Sequence, residues 1–407
     1  MSIPWRIFRS ISGTAFKLSI VVCLVLLTVP LNCYAKQSKL KPQAPAQQTQ
    51  PPTADGTPGP KKNFLRLQGS GILKNVVTVR VENEKKTYYG RPIGQDPEKL
   101  ALLRWDGRIT VLPRQDKMEI FSTGFEPYTP EELSKRLLKQ YGSRYLVQTS
   151  DHFTVVYPRT NRKNWAAKYE TVYNQFKSYL ARHKIDLGEP KFSLIVVVLG
   201  SRREFDRSLS GETIFQQDIL GYYSRITNRV TTFVSTDPNI ARRIERLSNS
   251  TVVHEAIHQV AFNSGVHNRL CAVPRWMSEG FAMLFESGGF RASKPDQPIT
   301  DRVNTRRLQS LKKVILNGRA RGTLETLLRN DRIFETDPDL AYAMSWGLSF
   351  YLAEKETEKY LRFVIKDGNQ NPFSTYTPNA RVKLFTETFG KDFDTLERRL
   401  TKFILAL

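Results

Sequence analysis

His254 and His258 lie four residues apart, with Glu255 beside the first, in a chain that contains five histidines. Two imidazoles at that spacing leave one face of an α-helix a turn apart, so the segment must be helical if the pair is to act together. A pair of this kind, with a carboxylate next to the first histidine, is half of a zinc hydrolase site. Ser248-Asn249-Ser250 offers cap residues upstream, and Gly265 offers a stop downstream. Val252, Val253, Ala256, Ile257, Val260 and Ala261 give the segment an apolar face. The pattern predicts a half-buried helix that starts near residue 250 and carries the motif in its middle.

A catalytic zinc usually takes three protein ligands and leaves the fourth position to water, so a third ligand is needed. A third histidine in the same helical register would stand at position 264 with glycine at 261. Ser264 and Ala261 occupy those places, and His267 is out of register. The other solution is a glutamate on a following helix, and Pro274 to Ala282 opens such a helix, with Glu279 as the candidate. A glutamate near a helix start also favours the helix dipole, which is a purely structural reason for it to be there.

Three segments carry a resemblance to gluzincins, the zinc metallopeptidases whose third ligand is a glutamate on a second helix. The first is His254 to His258. The second is Ser278-Glu279-Gly280-Phe281-Ala282 with Glu286 seven residues after Glu279, similar to the Asn-Glu-Gly-Phe-Ala block of the aminopeptidase N-like family except at its first position. The third is Ala341 to Leu352, which resembles that family's tyrosine-bearing helix and puts Tyr342 at the matching position. From about residue 127 onward the chain most resembles the bacterial peptidase-MA-like family of unassigned function. The resemblance implies that His254, His258 and Glu279 hold Zn2+, that Glu255 is the general base toward the zinc-bound water, and that Tyr342 donates to the oxyanion. Tyr342, Trp346, Phe350 and Tyr351 also have the spacing of a core helix. Glu286 is open to two roles, orienting a ligand or facing solvent.

One departure bears on the reaction. The aminopeptidases carry a Gly-x-Met-Glu-Asn block whose glutamate captures the substrate's amine, and this chain has Gly221 to Val234 instead, with a strand expected after Asn228. In similar zincins such a strand forms the edge that binds the substrate backbone. An edge strand without an amine-binding carboxylate favours internal cleavage of an extended polypeptide. A core-covering strand is the structural alternative.

Arg6, Arg9 and Lys17 precede an apolar run of 14 residues, Leu18 to Leu31, followed by Cys33-Tyr34-Ala35. The run is shorter than the roughly 20 residues that span a bilayer, so residues 1–35 read as an export signal cleaved after Ala35, with no transmembrane anchor afterwards. Cys271 is then the single cysteine left, which precludes an internal disulfide and suits a buried filler. Residues 36–62, dominated by Pro, Gln, Thr, Lys and Ala, read as a flexible linker. Residues 63–125 read as a small all-β domain, with a small barrel as its expected shape. Its clearest sign is a hairpin pairing 102–105 with 108–112 through Asp106-Gly107.

Thr129-Pro130-Glu131-Glu132 is a capping box that opens the second domain, 127–407. Strands at 153–157 and 192–199 flank a helix marked by Trp165, Tyr169, Val172, Phe176 and Leu180, and helices follow at about 303–317, 339–356 and 391–405. The fold class is α+β: a zincin-like domain with a mixed sheet, an active-site helix and a helical lower half, preceded by the β-domain.

The net charge is +23, and removal of Arg6, Arg9 and Lys17 leaves about +20. That excess favours acidic polymers or anionic surfaces as partners besides a polypeptide substrate. The arginine pairs are dispersed and form no specific nucleic-acid module. The sequence thus points to an exported zinc peptidase, with a non-catalytic peptide- or wall-binding module on the same fold as the alternative.

Overall fold

Phe153–Pro158, of β-branched and aromatic residues ending in proline, and Leu194–Leu199, of leucine and β-branched residues, are runs in which every position is buried. Strands with no polar face belong in the middle of a sheet covered on both sides, and that is where the computed structural model of the chain has them. It describes residues 65–66, 78–83, 86–95, 99–113, 119–122, 124–209, 219–235, 238–292, 294, 297–370 and 375–407. The expected signal and linker, 1–62, lie outside these residues. No described helix is long and apolar enough to cross a membrane.

In chain order the strands are β1 (Leu65–Arg66), β2 (Thr78–Asn83), β3 (Lys86–Gln95), β4 (Lys99–Leu103), β5 (Ile109–Pro113), β6 (Glu119–Ser122), β7 (Tyr145–Thr149), β8 (Phe153–Pro158), β9 (Ile185–Asp186), β10 (Leu194–Leu199), β11 (Gly221–Ser224) and β12 (Arg229–Phe233). The first five-stranded sheet has the antiparallel order β5-β4-β3-β2-β6. The order is open, so the barrel shape is not what the described strands form. The expected β4–β5 hairpin is present, but Trp105 belongs to its turn: Arg104 and Arg108 close it, and Gly107 takes φ 78°, where a residue without Cβ is favoured. One face of this sheet buries Val79, Val81, Leu100, Leu102 and Leu112. The alternate residues Ala101, Leu103 and Ile109 meet Phe125 and Phe192, which docks the sheet on the rest of the chain.

The second sheet is mixed, with order β11-β12-β10-β8-β7. Its three central strands run parallel, and β7 and β11 close the two ends antiparallel. The strand expected after Asn228 is β12, an inner strand between β10 and β11. The edge is therefore β11, because Asn228, at φ 57°, turns the chain back into a hairpin.

The first five helices are α1 (Pro130–Tyr141), α2 (Trp165–Arg182), α3 (Arg202–Ser208), α4 (Pro238–Asn263) and α5 (Arg275–Phe285). The capping box at Thr129 is formed in both directions. Beyond α5 the described chain has no strand, and its longest helix is Pro338–Lys355. The molecule is mixed α+β, with its main core shared by the second sheet, α2, α4, α5 and the later helices.

Candidate metal centre

Helix α4 starts at Pro238, about three turns before the expected cap at 248–250, and ends at Asn263 just before Gly265 at φ 89°. From Thr251 to Asn263 every residue is buried, so the motif lies on a helix enclosed on all sides rather than half-buried. One side of this segment is fixed to the sheet by polar contacts. Gln259 Nε2 donates to the carbonyls of Ile195 and Asn228, at 3.0 and 2.9 Å, and Asn263 Nδ2 donates to Asn228 Oδ1 at 2.8 Å. Gly221 of β11 lies directly over the motif, where a Cβ would stand 3.0 Å from Thr251 Cγ2 and 3.4 Å from Glu255 Cγ. That close approach favours a glycine, since a side chain there would press on Thr251.

The opposite side faces α5, and there the expected ligands meet. The Nε2 atoms of His254 and His258 are 3.0 Å apart. Glu279 Oε2 is 3.1 Å from His254 Nε2, and its Oε1 is 3.8 Å from His258 Nε2. Zinc bonds of about 2.0–2.1 Å at tetrahedral angles separate neighbouring ligand atoms by about 3.3 Å. The three separations bracket that value, and all four side chains, including Glu255, are at most 1 % exposed.

The electrostatics also fit a cation. Glu279 and Glu286 are ionised in the interior against one guanidinium, Arg307, which leaves one negative charge for a cation to neutralise, and a second arises when Glu255 loses its proton. Burial alone would lower the His254 pKa, but Glu279 and Glu286 raise it to about 10. Burial lowers His258. Glu279 is held near 2 by the two histidines against the opposing effect of burial. A proton on His254 therefore answers the same field that would draw a metal. Glu279 Oε1 and both oxygens of Glu255 are buried without a hydrogen-bond partner, and burial pushes Glu255 up to about 8. Orphaned carboxylate oxygens beside converging imidazoles fit an ion and its water.

Glu286, whose role was open from sequence, faces inward. Its Oε1 accepts from His254 Nδ1 at 2.9 Å, which leaves Nε2 for the metal. Arg307 Nη2 and Asn304 Nδ2 donate to the same carboxylate at 2.9 and 2.8 Å. Despite burial, Arg307 and His254 hold Glu286 well below the usual carboxylate range. Arg307 and Asn304 escaped the sequence reading because nothing local ties them to Glu286; the seven-residue spacing of Glu279 and Glu286, two turns on one face, was the available signal. Glu286→Gln keeps the shape and removes the charge that orients His254, so zinc affinity should fall about tenfold or more in a competition titration. Unchanged affinity would show that the contact does not tune the ligand.

Tyr342 is buried on helix Pro338–Lys355. Its hydroxyl accepts from Arg275 Nη2 at 3.2 Å, and its ring meets Phe334 edge-on. The Arg307 guanidinium lies 5.9 Å from the same ring, so Tyr342 is linked to His254 through Arg307 and Glu286. Cys271 lies apart from the ligand group; its Sγ donates to the Gln370 carbonyl at 2.7 Å.

Residues 248–374, which include the motif, Glu279 and Tyr342, match a family described as a protein of unknown function, DUF1570. No curated protein matches the sequence. Among solved structures, the chain is similar to a mutant M1 zinc metallopeptidase from Deinococcus radiodurans bound to a Tyr-Ser-Ala substrate, at 16 % identity and TM-score 0.33. It is similar to the same mutant without that substrate at 13 % identity and TM-score 0.33. In each case the match covers 63 % of this chain and 51 % of the other, so the chain spans about half the length of the structures it matches.

Proposed function

We propose that the chain is an exported zinc-dependent peptidase of gluzincin type that cleaves internal bonds of a polypeptide. The observation that carries this reading is the convergence of three ligand atoms from α4 and α5 beside an unpartnered carboxylate, Glu255. His254, His258 and Glu279 would hold the ion. Zinc at such a site supplies Lewis acidity, lowering the pKa of a coordinated water to about 7 and polarising a carbonyl.

The rest of the chemistry falls to side chains. Glu255 takes a proton from the attacking water on one of its free oxygens and delivers it to the leaving amine. Glu286 and Arg307 keep His254 in the ligating orientation. Tyr342, with Arg275 donating to its hydroxyl, is the candidate donor to the oxyanion. Strand β11 ends the second sheet directly above Glu255, and an end strand accepts an extended peptide as a further strand.

Complete burial of the ligands favours a second reading, a zinc-stabilised module without catalysis, because closed sites are typical of structural zinc. Three ligands rather than four, and the retained Glu255, favour the enzyme. The deciding experiment measures zinc per chain and cleavage of a peptide library before and after chelation. The peptidase should carry about one zinc per chain, lose cleavage on chelation and regain it with added zinc. A structural site would lose thermal stability on chelation, while the zinc-loaded protein cleaves nothing. Cleavage indifferent to chelation, or native protein without metal, would overturn the proposal.

A further inference from the structure

A cavity of about 380 Å³ lies where the β4–β5 turn meets α1 and the start of β12. Four arginines line it, Arg104, Arg108, Arg136 and Arg229, with a single carboxylate, Asp106. Asp106 accepts from Arg108 Nη2 at 3.0 Å and lies 3.5 Å from Arg229 Nη2. Arg104 and Arg136 are held differently. The Arg136 guanidinium sits 4.0 Å from the centre of the Tyr128 ring, and that of Arg104 sits 5.5 Å from the Trp105 ring.

A ring face steadies a guanidinium without neutralising it and leaves its N–H edge for an acceptor. Four cations against one anion leave the cavity wall with an excess of three positive charges. Ordinary solvated arginines would explain the charge but not its convergence on one cavity. Arg229 Nη1 donates to Gln140 Oε1 at 3.3 Å, which leaves Arg104 and Arg136 as the two lining guanidiniums held by a ring face. The volume lies within the range of about 300–1,000 Å³ found for small-molecule sites.

The geometry points to an oxyanion site in this cavity, taking the carboxylate or phosphate group of a small ligand between Arg104 and Arg136, with Arg229 beside them. Planar guanidiniums match both groups in paired hydrogen bonds. The site does not depend on the peptidase reading, since none of its residues belongs to the metal group.

Calorimetric titration of the purified protein at low ionic strength, with citrate and with inorganic phosphate as probes, tests this. At least one probe should bind saturably, and Arg104→Gln and Arg136→Gln should each weaken it about tenfold or more. Binding of citrate alone would assign a carboxylate ligand, and binding of phosphate a phosphate ligand; either supports the site. Arg136 is exposed, so its replacement leaves the fold intact even if Arg104→Gln does not fold. Lys359→Gln, exposed on a distant helix, should bind as the wild type does. The proposal falls if neither probe saturates at millimolar concentration, if Arg136→Gln binds like the wild type, or if Lys359→Gln weakens binding equally.

Discussion

Glu255→Gln should retain one zinc per chain and lose at least about a hundredfold in peptide cleavage, the lower end of what general acid–base catalysis contributes. The substitution is nearly isosteric. Zinc should remain because the proposed ligand atoms are His254 Nε2, His258 Nε2 and the Glu279 carboxylate, none of which bonds Glu255. Cleavage should go because neither neighbouring acid can replace it: Glu286 is occupied by His254, Asn304 and Arg307, and Glu279 is proposed to hold the ion with the two histidines. Glu255 is pushed up by burial to about 8 while His254 beside it pulls it down, so the site leaves it readily able to exchange a proton. Zinc analysis and mass-spectrometric readout of a peptide library, on wild type and variant in parallel, check both halves. Equal cleavage by the two proteins would remove Glu255 from the mechanism, and loss of zinc from the variant would make it a ligand.

The parts of this site that were legible in the sequence are those set by local spacing. The four-residue step from His254 to His258 fixes a shared helix face, and Glu279 lies in the second turn of the next helix, Arg275–Phe285. The start of α4 was missed because Ser248-Asn249-Ser250 resembles a cap, although Ile240, Ile244 and Leu247 already recur at helical spacing behind Pro238. The edge strand was assigned to the wrong arm of its hairpin, since pairing of β12 with β10 is a long-range choice that residues 229–233 do not encode alone. Full burial was also illegible. It depends on helix Pro338–Lys355, buried from Leu340 to Ala353, closing over α5, and on the Glu286–Arg307 pair across 21 residues. The docking of the first sheet through Phe125 and Phe192 has the same long-range origin.

Gly280→Ala should cost about 3 kcal/mol or more in stability and weaken zinc binding with it, although alanine is the better helix former by about 1 kcal/mol. Gly280 lies inside α5, immediately after Glu279, where a side chain would normally help. Its added Cβ would stand 2.1 Å from Ser349 Oγ and 2.5 Å from the Ser345 carbonyl oxygen on helix Pro338–Lys355. The hydroxyl of Ser349 can rotate away, but the Ser345 carbonyl is backbone, so the two helices must part. That separation shifts Glu279 relative to α4, whose histidines are fixed through Gln259 and Asn263 to the sheet. Gly347→Ala is the informative contrast, because the nearest atom its Cβ would meet is Leu311 Cδ2, 2.2 Å away at the far end of a flexible side chain. It should therefore cost less and leave zinc affinity near the wild-type value. Denaturant unfolding and competitive zinc titration on both variants separate the cases. Equal losses in both, or Gly280→Ala with wild-type zinc affinity, would mean that the contact of α5 with this helix does not set the position of Glu279.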